Sequence, residues 1–440
     1  VDPDLIVYVA HGRLFWGRDE EGLAWLKEKN VPVLCPLVVL EPHEDWVKSQ
    51  QGMAGGYMSM SVVMPELDGG IEPYAISAQY PGHRGLHVNR AVPERLASFT
   101  TRVENWLRLR EKPNAEKKVA IFYIKGPGRN ALVAEGLEII PSLHNTLKYL
   151  REQGYDTGDL PEDEAEFAQR IQTEGPVLGP YAQGSFQTFL QTGNPELVPA
   201  ETLQTWCREA LPEELFQAMV DQYGPPPGRY FSTVRGEKPV LAISRVQFGN
   251  ITLLPQPLPG VGSDGETLVH GVKKAPPYPY VGAYLWARKG LQADAIMHYG
   301  THGSLEFTPW KQVALSQHDW PDALIGELPH LYLYSVSNPG EALIAKRRTY
   351  AVMDSHITPP FTDAELYGAF ASLSDRLHTF SEAEDAALKE AYRTSIQQAV
   401  IELGLDKDLS LEGFADSAPA DHVLINIHRY LHNLAEAKMP

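Results

Sequence analysis

The sequence predicts a multidomain α/β protein with Rossmann-like, mostly parallel sheets and a helical subdomain at its C-terminal end. Two observations support this fold class. Short runs rich in Val and Ile alternate with helix-length segments, which is typical of strand-helix-strand crossover units. Beyond Pro360 the pattern changes and indicates helices only. The 440 residues are enough for about two to four domains.

Each predicted element follows from a local pattern. The apolar runs predicted as strands lie at 5–10, 31–40, 119–124, 240–244, 295–298 and 331–336. A helix is predicted from Pro93 to Arg110. It is expected to end before Lys112, because a residue that precedes a proline, here Pro113, disfavours helix. Three C-terminal helices are predicted at 363–380, 382–403 and 420–438. We therefore predict an α/β domain at 1–113, a catalytic, ligand-binding α/β domain with long loops at 114–360 and a helical subdomain at 361–440.

Composition excludes several classes of protein. The chain has 38 basic and 56 acidic residues and a net charge of −18, which repels phosphate backbones, so nucleic acid is not an expected partner. No apolar run reaches the roughly 20 residues that span a bilayer. Only Cys35 and Cys207 occur, which argues against a disulfide framework and fits a reducing, cytoplasmic compartment. The chain begins Val-Asp-Pro-Asp and is interpreted as a piece of a longer protein, so attachment to the inner membrane through other regions stays open.

The chain has no sequence of the form G-x-x-x-x-G-K-[ST], so no nucleotide site is predicted in it. Any nucleotide hydrolysis is expected to belong to a partner. The Gly-rich stretch Gly126-Pro-Gly128 follows a predicted strand, but its proline removes one amide donor. We interpret it as a plain turn rather than a dinucleotide site.

The densest group of reactive side chains comprises His298, His302 and Glu306, which follow the predicted buried strand at 295–298. Open α/β sheets bind ligands at the carboxyl ends of their strands. Imidazole and carboxylate groups can bind a divalent metal or accept a proton near neutral pH. Glycines on both sides of the Thr301-His302 pair are expected to leave room for a flat ligand. The alternative is that one histidine is a hydrogen-bonded core residue.

A second block, at 331–348, indicates a strand, a turn and a helix. Asn338 is a candidate helix cap with Glu341 in a capping-box position, which local structure alone explains. The basic residues Lys346, Arg347 and Arg348 follow on the same helix. They could meet carboxylates of a ligand or partner.

Several stretches together resemble a known family. They are His298-Tyr-Gly-Thr-His-Gly-Ser-Leu-Glu-Phe-Thr-Pro-Trp-Lys311, Trp320-Pro-Asp322, Asn338-Pro-Gly-Glu341, Ala345-Lys-Arg-Arg348 and Thr358-Pro-Pro360. The chain is similar in these to the large tetrapyrrole-binding subunit of class I chelatases, a family that comprises CobN of cobaltochelatase and the corresponding large subunit of magnesium chelatase. Members of that family are much longer, so the chain resembles a central piece that includes the catalytic region.

The resemblance implies an enzyme that moves a divalent metal, cobalt or magnesium, into a porphyrin or corrin ring. It also implies an AAA+ ATPase subunit and an integrin-domain subunit as partners. His298, His302 and Glu306 would then exchange protons with the ring nitrogens and act as transient metal ligands. The residues expected to contact the tetrapyrrole are His11, Arg13, Tyr278, Tyr280, Trp310, Lys311, Lys346 and Arg347.

Two departures from the family pattern keep other functions open. Tyr278 and Tyr280 stand where the family usually has paired histidines, and Trp310 replaces the glycine of a Pro-Gly-Lys sequence. One alternative is an ATP-independent haem dechelatase that resembles the HmuS branch and releases iron and free porphyrin. Another is a tetrapyrrole carrier without chemistry.

Overall fold

The computed structural model describes residues 2–9, 11–124, 133–134, 137–177, 183–260, 274–300, 303–334, 339–355, 369–383, 385–411 and 413–436. The chain divides into two compact units, Val1–His356 and Ile357–Pro440. Parallel sheets and many helices make up the first unit, and this confirms the predicted α/β class.

The first 113 residues carry two small sheets of their own, one with two strands and one with three. The strands are β1 (Ile6–Val7), β2 (Val33–Leu34), β3 (Leu37–Pro42), β4 (Ala75–Pro81) and β5 (His87–Ala91). The helices are α1 (Asp19–Lys29), α2 (His43–Lys48), α3 (Gly55–Met58), α4 (Met64–Leu67) and α5 (Pro93–Glu111). Strands β3 and β4 are parallel and β5 is antiparallel to β4. Helix α5 begins at the predicted proline and ends one residue after the predicted Arg110.

The middle of the chain supplies the largest sheet. The strands of this part of the chain are β6 (Val119–Tyr123), β7 (Val133–Ala134), β8 (Leu137–Glu138), β9 (Glu196–Pro199), β10 (Ser232–Arg235), β11 (Lys238–Ile243), β12 (Val246–Phe248), β13 (Ile251–Pro255), β14 (Ala295–Gly300), β15 (His330–Tyr334) and β16 (Val352–Asp354). Strands β7 and β8 form a two-stranded sheet, and β9, β10 and β11 form a three-stranded one. The helices of this part are α6 (Ile139–Glu152), α7 (Glu164–Glu174), α8 (Gln183–Thr192), α9 (Ala200–Ala210), α10 (Glu213–Tyr223), α11 (Tyr278–Leu285), α12 (Trp320–Ile325) and α13 (Pro339–Arg348).

The six-stranded sheet has the order β12-β13-β6-β14-β15-β16, and all its pairs are parallel except β12 with β13. Strand β6 lies at its centre, flanked by β13 on one side and β14 on the other. The chain therefore adds consecutive strands to opposite sides of β6. Such a topological switch point is where open α/β sheets bind their ligands, outside the carboxyl ends of the strands.

Both faces of this sheet are buried, as is usual for a parallel sheet. One face packs Phe122 and Ile296 against an apolar core that includes residues of α9 to α12. The other face packs Ile121 and Tyr123 against α6 and α7. The continuous apolar runs that predicted these strands reflect this two-sided burial.

Buried ion pairs join residues 1–113 to the rest of the first unit. Arg95 on α5 forms a bidentate pair with Asp322 on α12, with nitrogen-oxygen distances of 2.7 and 2.9 Å. The indole nitrogen of Trp46 donates to the carbonyl oxygen of Ala314 at 2.8 Å. Residues 1–113 and the residues that follow them belong to the same compact unit, Val1–His356. The domain boundary predicted near Pro113 therefore stays a prediction.

The described residues of the second unit form helices α14 (Ala369–Glu382), α15 (Ala386–Glu402), α16 (Leu405–Asp408) and α17 (Asp421–Glu436). Apolar side chains such as Leu377, Ile396 and Ile427 form its core. Asp385 caps α15 by accepting a hydrogen bond from the backbone amide of Leu388 at 2.8 Å. Among the described helices, none has both the length and the apolar character required to cross a bilayer.

Candidate active site

His298 lies in the middle of β14, between two aromatic rings supplied by its neighbouring strands. Register pairs His298 with Phe122 on β6 and with Tyr332 on β15. The imidazole stacks on both rings, with centroid distances of 5.3 Å to Phe122 and 5.2 Å to Tyr332. Its side chain is buried. Parallel pairing alone therefore fixes the position of this histidine.

A chain of hydrogen bonds fixes the proton positions on two histidines. The carbonyl oxygen of Thr349 can only accept, so the Nδ1 of His330, 2.8 Å away, carries a hydrogen. His330 Nε2 then accepts from His298 Nδ1 at 2.6 Å. His298 Nε2 in turn accepts from the Tyr284 hydroxyl at 2.9 Å. The Gln256 amide donates to that hydroxyl at 3.2 Å, so both histidines are held as neutral, defined tautomers.

Burial keeps these histidines uncharged. Loss of hydration lowers the pKa of His330 to about 4. Loss of hydration, and next the neighbouring His330, lower the pKa of His298 well below its ordinary value. To ligate a metal, His298 would have to give up one of its two hydrogen bonds.

Glu306 lies in a short 3-10 turn, Leu305–Phe307, that follows β14. Its carboxylate is buried and accepts from the backbone amide of Gly303 at 2.9 Å and from the Tyr332 hydroxyl at 3.2 Å. Tyr332 thus touches both His298 and Glu306. The structure brings together two of the three predicted catalytic residues, whereas the third, His302, lies outside the described residues.

Gly303 is closely surrounded by side chains of the site. A β-carbon at this position would come within 3.0 Å of the Tyr332 hydroxyl and 3.2 Å of both Glu306 and the His298 ring. A larger residue at this position would crowd these side chains, and the expectation that this glycine leaves room for a flat ligand stays a prediction. Thr301 lies outside the described residues.

Arg348 holds the loop after Glu306 in place. Its buried guanidinium donates to the carbonyl oxygens of Glu306, of Thr308 at 2.5 Å, of Pro309 at 3.2 Å and of Lys311 at 2.7 Å. Loss of hydration lowers its pKa to about 10. Arg348 therefore acts as a structural clamp, although its place in a basic triplet suggested a role toward ligand carboxylates.

Three of the predicted tetrapyrrole contacts lie in the protein interior. The Tyr278 hydroxyl donates to the Gly224 carbonyl at 2.9 Å, and the Tyr280 hydroxyl lies 2.9 Å from that of Ser304. The Lys311 ammonium is paired with Asp319 at 3.3 Å. All three side chains are buried and bonded within the protein, so their contact with a macrocycle stays a prediction.

The predicted basic contacts are mostly paired within the protein. Arg13 pairs with Asp68 at 2.6 Å, and Arg347 pairs with Glu66 at 2.8 Å. Lys346 is half-buried, and loss of hydration lowers its pKa. The remaining candidates are more accessible: His11 is exposed, with its ring 6.4 Å from that of Tyr57, and Trp310 is half-buried. Within the described ranges, no three His, Cys, Asp or Glu side chains are grouped as a metal site.

An apolar groove lies at the carboxyl end of β13, bordered by the described ends of the long loop predicted between Leu254 and Pro279. It holds about 610 Å³ of empty space, open solvent included. Its walls include Pro255, Pro257, Pro279 and Ala283. Because Gln256 and Tyr284 adjoin these residues in the chain, the groove borders the hydrogen-bonded chain that ends at His330.

Sequence reasoning missed His330, Tyr284, Tyr332 and the clamp role of Arg348. The signal for Tyr332 was its place in a predicted strand next to the one that carries His298. No local motif marks His330, because its contact with His298 crosses 32 positions of sequence and depends on strand order.

Comparison with known proteins identifies the class. The family model described as CobN/Magnesium Chelatase matches residues 1–440, so the chain belongs to this family. It is 31% identical to the chloroplastic magnesium-chelatase subunit ChlH of Oryza sativa subsp. indica over 89% of this chain and 27% of the relative. It is also 31% identical to the aerobic cobaltochelatase subunit CobN of Pseudomonas aeruginosa, over 93% of this chain and 32% of the relative.

A solved structure shares the fold. The catalytic subunit of cobaltochelatase from Mycobacterium tuberculosis superposes with a TM-score of 0.69 at 28% identity, covering 99% of this chain and 36% of that one. The chain thus spans about a third of the length of the proteins it matches. These similarities confirm the resemblance to class I chelatases and do not single out the HmuS branch.

Proposed function

We propose that the chain is the catalytic, tetrapyrrole-binding part of a chelatase subunit that inserts a divalent metal, cobalt or magnesium, into a porphyrin or corrin ring. The observation that carries this proposal is the buried Glu306, held against Tyr332 and Gly303 beside His298, in a chain of the CobN/Magnesium Chelatase family. In this proposal the metal and the tetrapyrrole are both substrates.

Insertion into a porphyrin requires the removal of two pyrrole N–H protons as the metal binds the four ring nitrogens. Glu306 is the proposed acceptor, because a carboxylate can take a proton without dismantling the hydrogen-bonded chain that holds His298. His298, Tyr332 and the Arg348 clamp position Glu306. His302 remains a proposed metal ligand or second proton acceptor. The apolar groove gives the macrocycle an apolar surface beside this centre.

An AAA+ ATPase subunit and an integrin-domain subunit are the proposed partners. The chain has no Walker-type phosphate loop, so ATP hydrolysis would take place on the ATPase partner. Coupling to hydrolysis would supply the energy to strip water from the metal and to bend the ring.

The test uses the full-length protein with deuteroporphyrin IX, Mg²⁺ or Co²⁺, and the two partner subunits with ATP. Insertion is followed by the change in porphyrin fluorescence. Glu306→Gln keeps the size and an acceptor oxygen for Gly303 and Tyr332, so it is expected to bind porphyrin normally and to lose insertion at least about 100-fold. Glu104→Gln, at an exposed position of α5, is the charge-matched control.

Three results would contradict the proposal. If the Glu306→Gln variant inserts metal as fast as the Glu104→Gln control, Glu306 is not the proton acceptor. Release of free porphyrin from reduced haem without ATP or partners would favour a dechelatase. Porphyrin binding with neither insertion nor release would favour a carrier.

A further inference from the structure

Trp310 has an unusual backbone conformation. Its φ is +95°, whereas the other non-glycine residues with positive φ in the described chain lie between 47° and 59°. Those values belong to the left-handed helical well, but +95° lies outside it. A side chain that begins with a β-carbon is strained there, and glycine is the residue that adopts such a φ readily.

The strain persists because both neighbours of Trp310 are held. Arg348 grips the carbonyl oxygens of Pro309 and Lys311, at 3.2 and 2.7 Å. The Lys311 backbone amide donates to Asp319 at 3.0 Å, and its ammonium is paired with the same carboxylate. Strained residues survive only where the surrounding structure fixes them in this way, and they concentrate at ligand sites.

The indole of Trp310 is partly accessible. Trp310 lies at the edge of the core that contains Phe122 and Tyr280, and it remains half-buried rather than enclosed. It follows Glu306 by four residues, in the loop that Arg348 clamps. A large aromatic side chain is therefore kept, at a cost in backbone strain, in the loop that follows the proposed catalytic carboxylate.

We propose that Trp310 is a stacking platform that makes this site selective for a planar, fully conjugated porphyrin over a corrin. Indole stacks through a flat π-face on another flat π-face. A corrin ring is partly saturated and carries substituents on both faces, so it offers a poorer stacking surface. The inference rests on the proposed function, since it names the substrate class of that site.

The experiment measures equilibrium binding to the full-length protein of two probes, deuteroporphyrin IX and dicyanocobinamide. The variants are Trp310→Gly, which removes the ring and relieves the strain, and Trp310→Phe, which keeps an aromatic ring. Trp206→Ala is the matched control, because Trp206 is half-buried against the same core on α9. Urea unfolding midpoints verify that each variant folds.

We expect the wild type and the control to bind the porphyrin more tightly than the corrin. Trp310→Gly should bind the porphyrin about tenfold more weakly with corrin binding unchanged, and Trp310→Phe should stay within about threefold of the wild type. Folded Trp310→Gly with wild-type porphyrin affinity overturns the inference and leaves the proposed function standing. A wild type that prefers the corrin also overturns only the inference, whereas a wild type that binds neither probe overturns both.

Discussion

Acid pH is expected to destabilise the first unit through His330. This imidazole is buried and neutral, with Nδ1 donating to the Thr349 carbonyl and Nε2 accepting from His298. Loss of hydration lowers its pKa to about 4, below the ordinary value of 6.5. As the pH falls below 6.5, the unfolded chain takes up a proton at this position and the folded chain does not. The free energy of unfolding therefore decreases between pH 6.5 and pH 4 and does not depend on this group above pH 7.

The two pKa values give the size of the effect. A difference of one pKa unit corresponds to about 1.4 kcal/mol. At pH 5 the contribution of His330 is a loss of about 2 kcal/mol, and near pH 4 it approaches about 3 kcal/mol. Replacement by Gln keeps one donor for Thr349 and one acceptor for His298 but removes the titrating group, so His330→Gln should not show this loss.

The assay compares urea unfolding at pH 7.5 and pH 5.0. Tryptophan fluorescence reports the first unit alone, because all eight tryptophans of the chain precede residue 357. The wild type should lose about 2 kcal/mol more than His330→Gln between the two pH values. His318→Gln, in which a part-exposed histidine beside Glu214 is changed, is measured in parallel as the histidine-to-glutamine control. Equal pH dependence in the wild type and His330→Gln would refute the reasoning.

Two further substitutions test the loop around Glu306. Gly303→Ala should destabilise the first unit by about 1–3 kcal/mol, because its β-carbon crowds Tyr332 and Glu306. Gly56→Ala is the control, because a β-carbon there meets open space and should not destabilise the protein. Equal urea unfolding midpoints for the two variants would count against the packing described around Gly303. Arg348→Lys should cost about 2–4 kcal/mol, because one ammonium cannot serve the four carbonyl oxygens that the guanidinium reaches. Arg90→Lys, at an exposed position, is the control for Arg348→Lys in the same unfolding assay. An equally small loss of unfolding free energy in both variants would disprove the clamp role of Arg348.

The elements of the large sheet were predictable because burial on both faces gives continuous apolar runs. Val119–Tyr123 and Ala295–Gly300 are strands close to their predicted positions. The order of the strands was not predictable, because it depends on pairing between residues more than 100 positions apart, such as Ala120 with Ile296. Without that order, the sequence could not place the switch point.

The residues of the candidate site were likewise predictable only in part. His298 and Glu306 were found because they lie close together in a motif. The interior positions of Tyr280 and Lys311 could not be predicted, because an aromatic or basic residue near a motif can face either the ligand or the core. Tyr280 and Lys311 face the core because they bond to Ser304 and Asp319 there, and only tertiary packing brings these partners together.

The structure indicates different roles for His298 and Glu306, to which the sequence analysis assigned the same role. His298 is buried, stacked between two rings and bonded at both nitrogens, so adding a proton or a metal to it would break a bond and place charge in an apolar core. Glu306 lies on the loop beyond the strand, where Arg348 fixes the backbone. Strands β14 and β15 thus supply a rigid, neutral support through His298 and Tyr332, and the loop supplies the carboxylate. Proton exchange with a substrate is therefore expected to fail first when Glu306 is changed, whereas changes at His330 should reduce stability before they reduce chemistry.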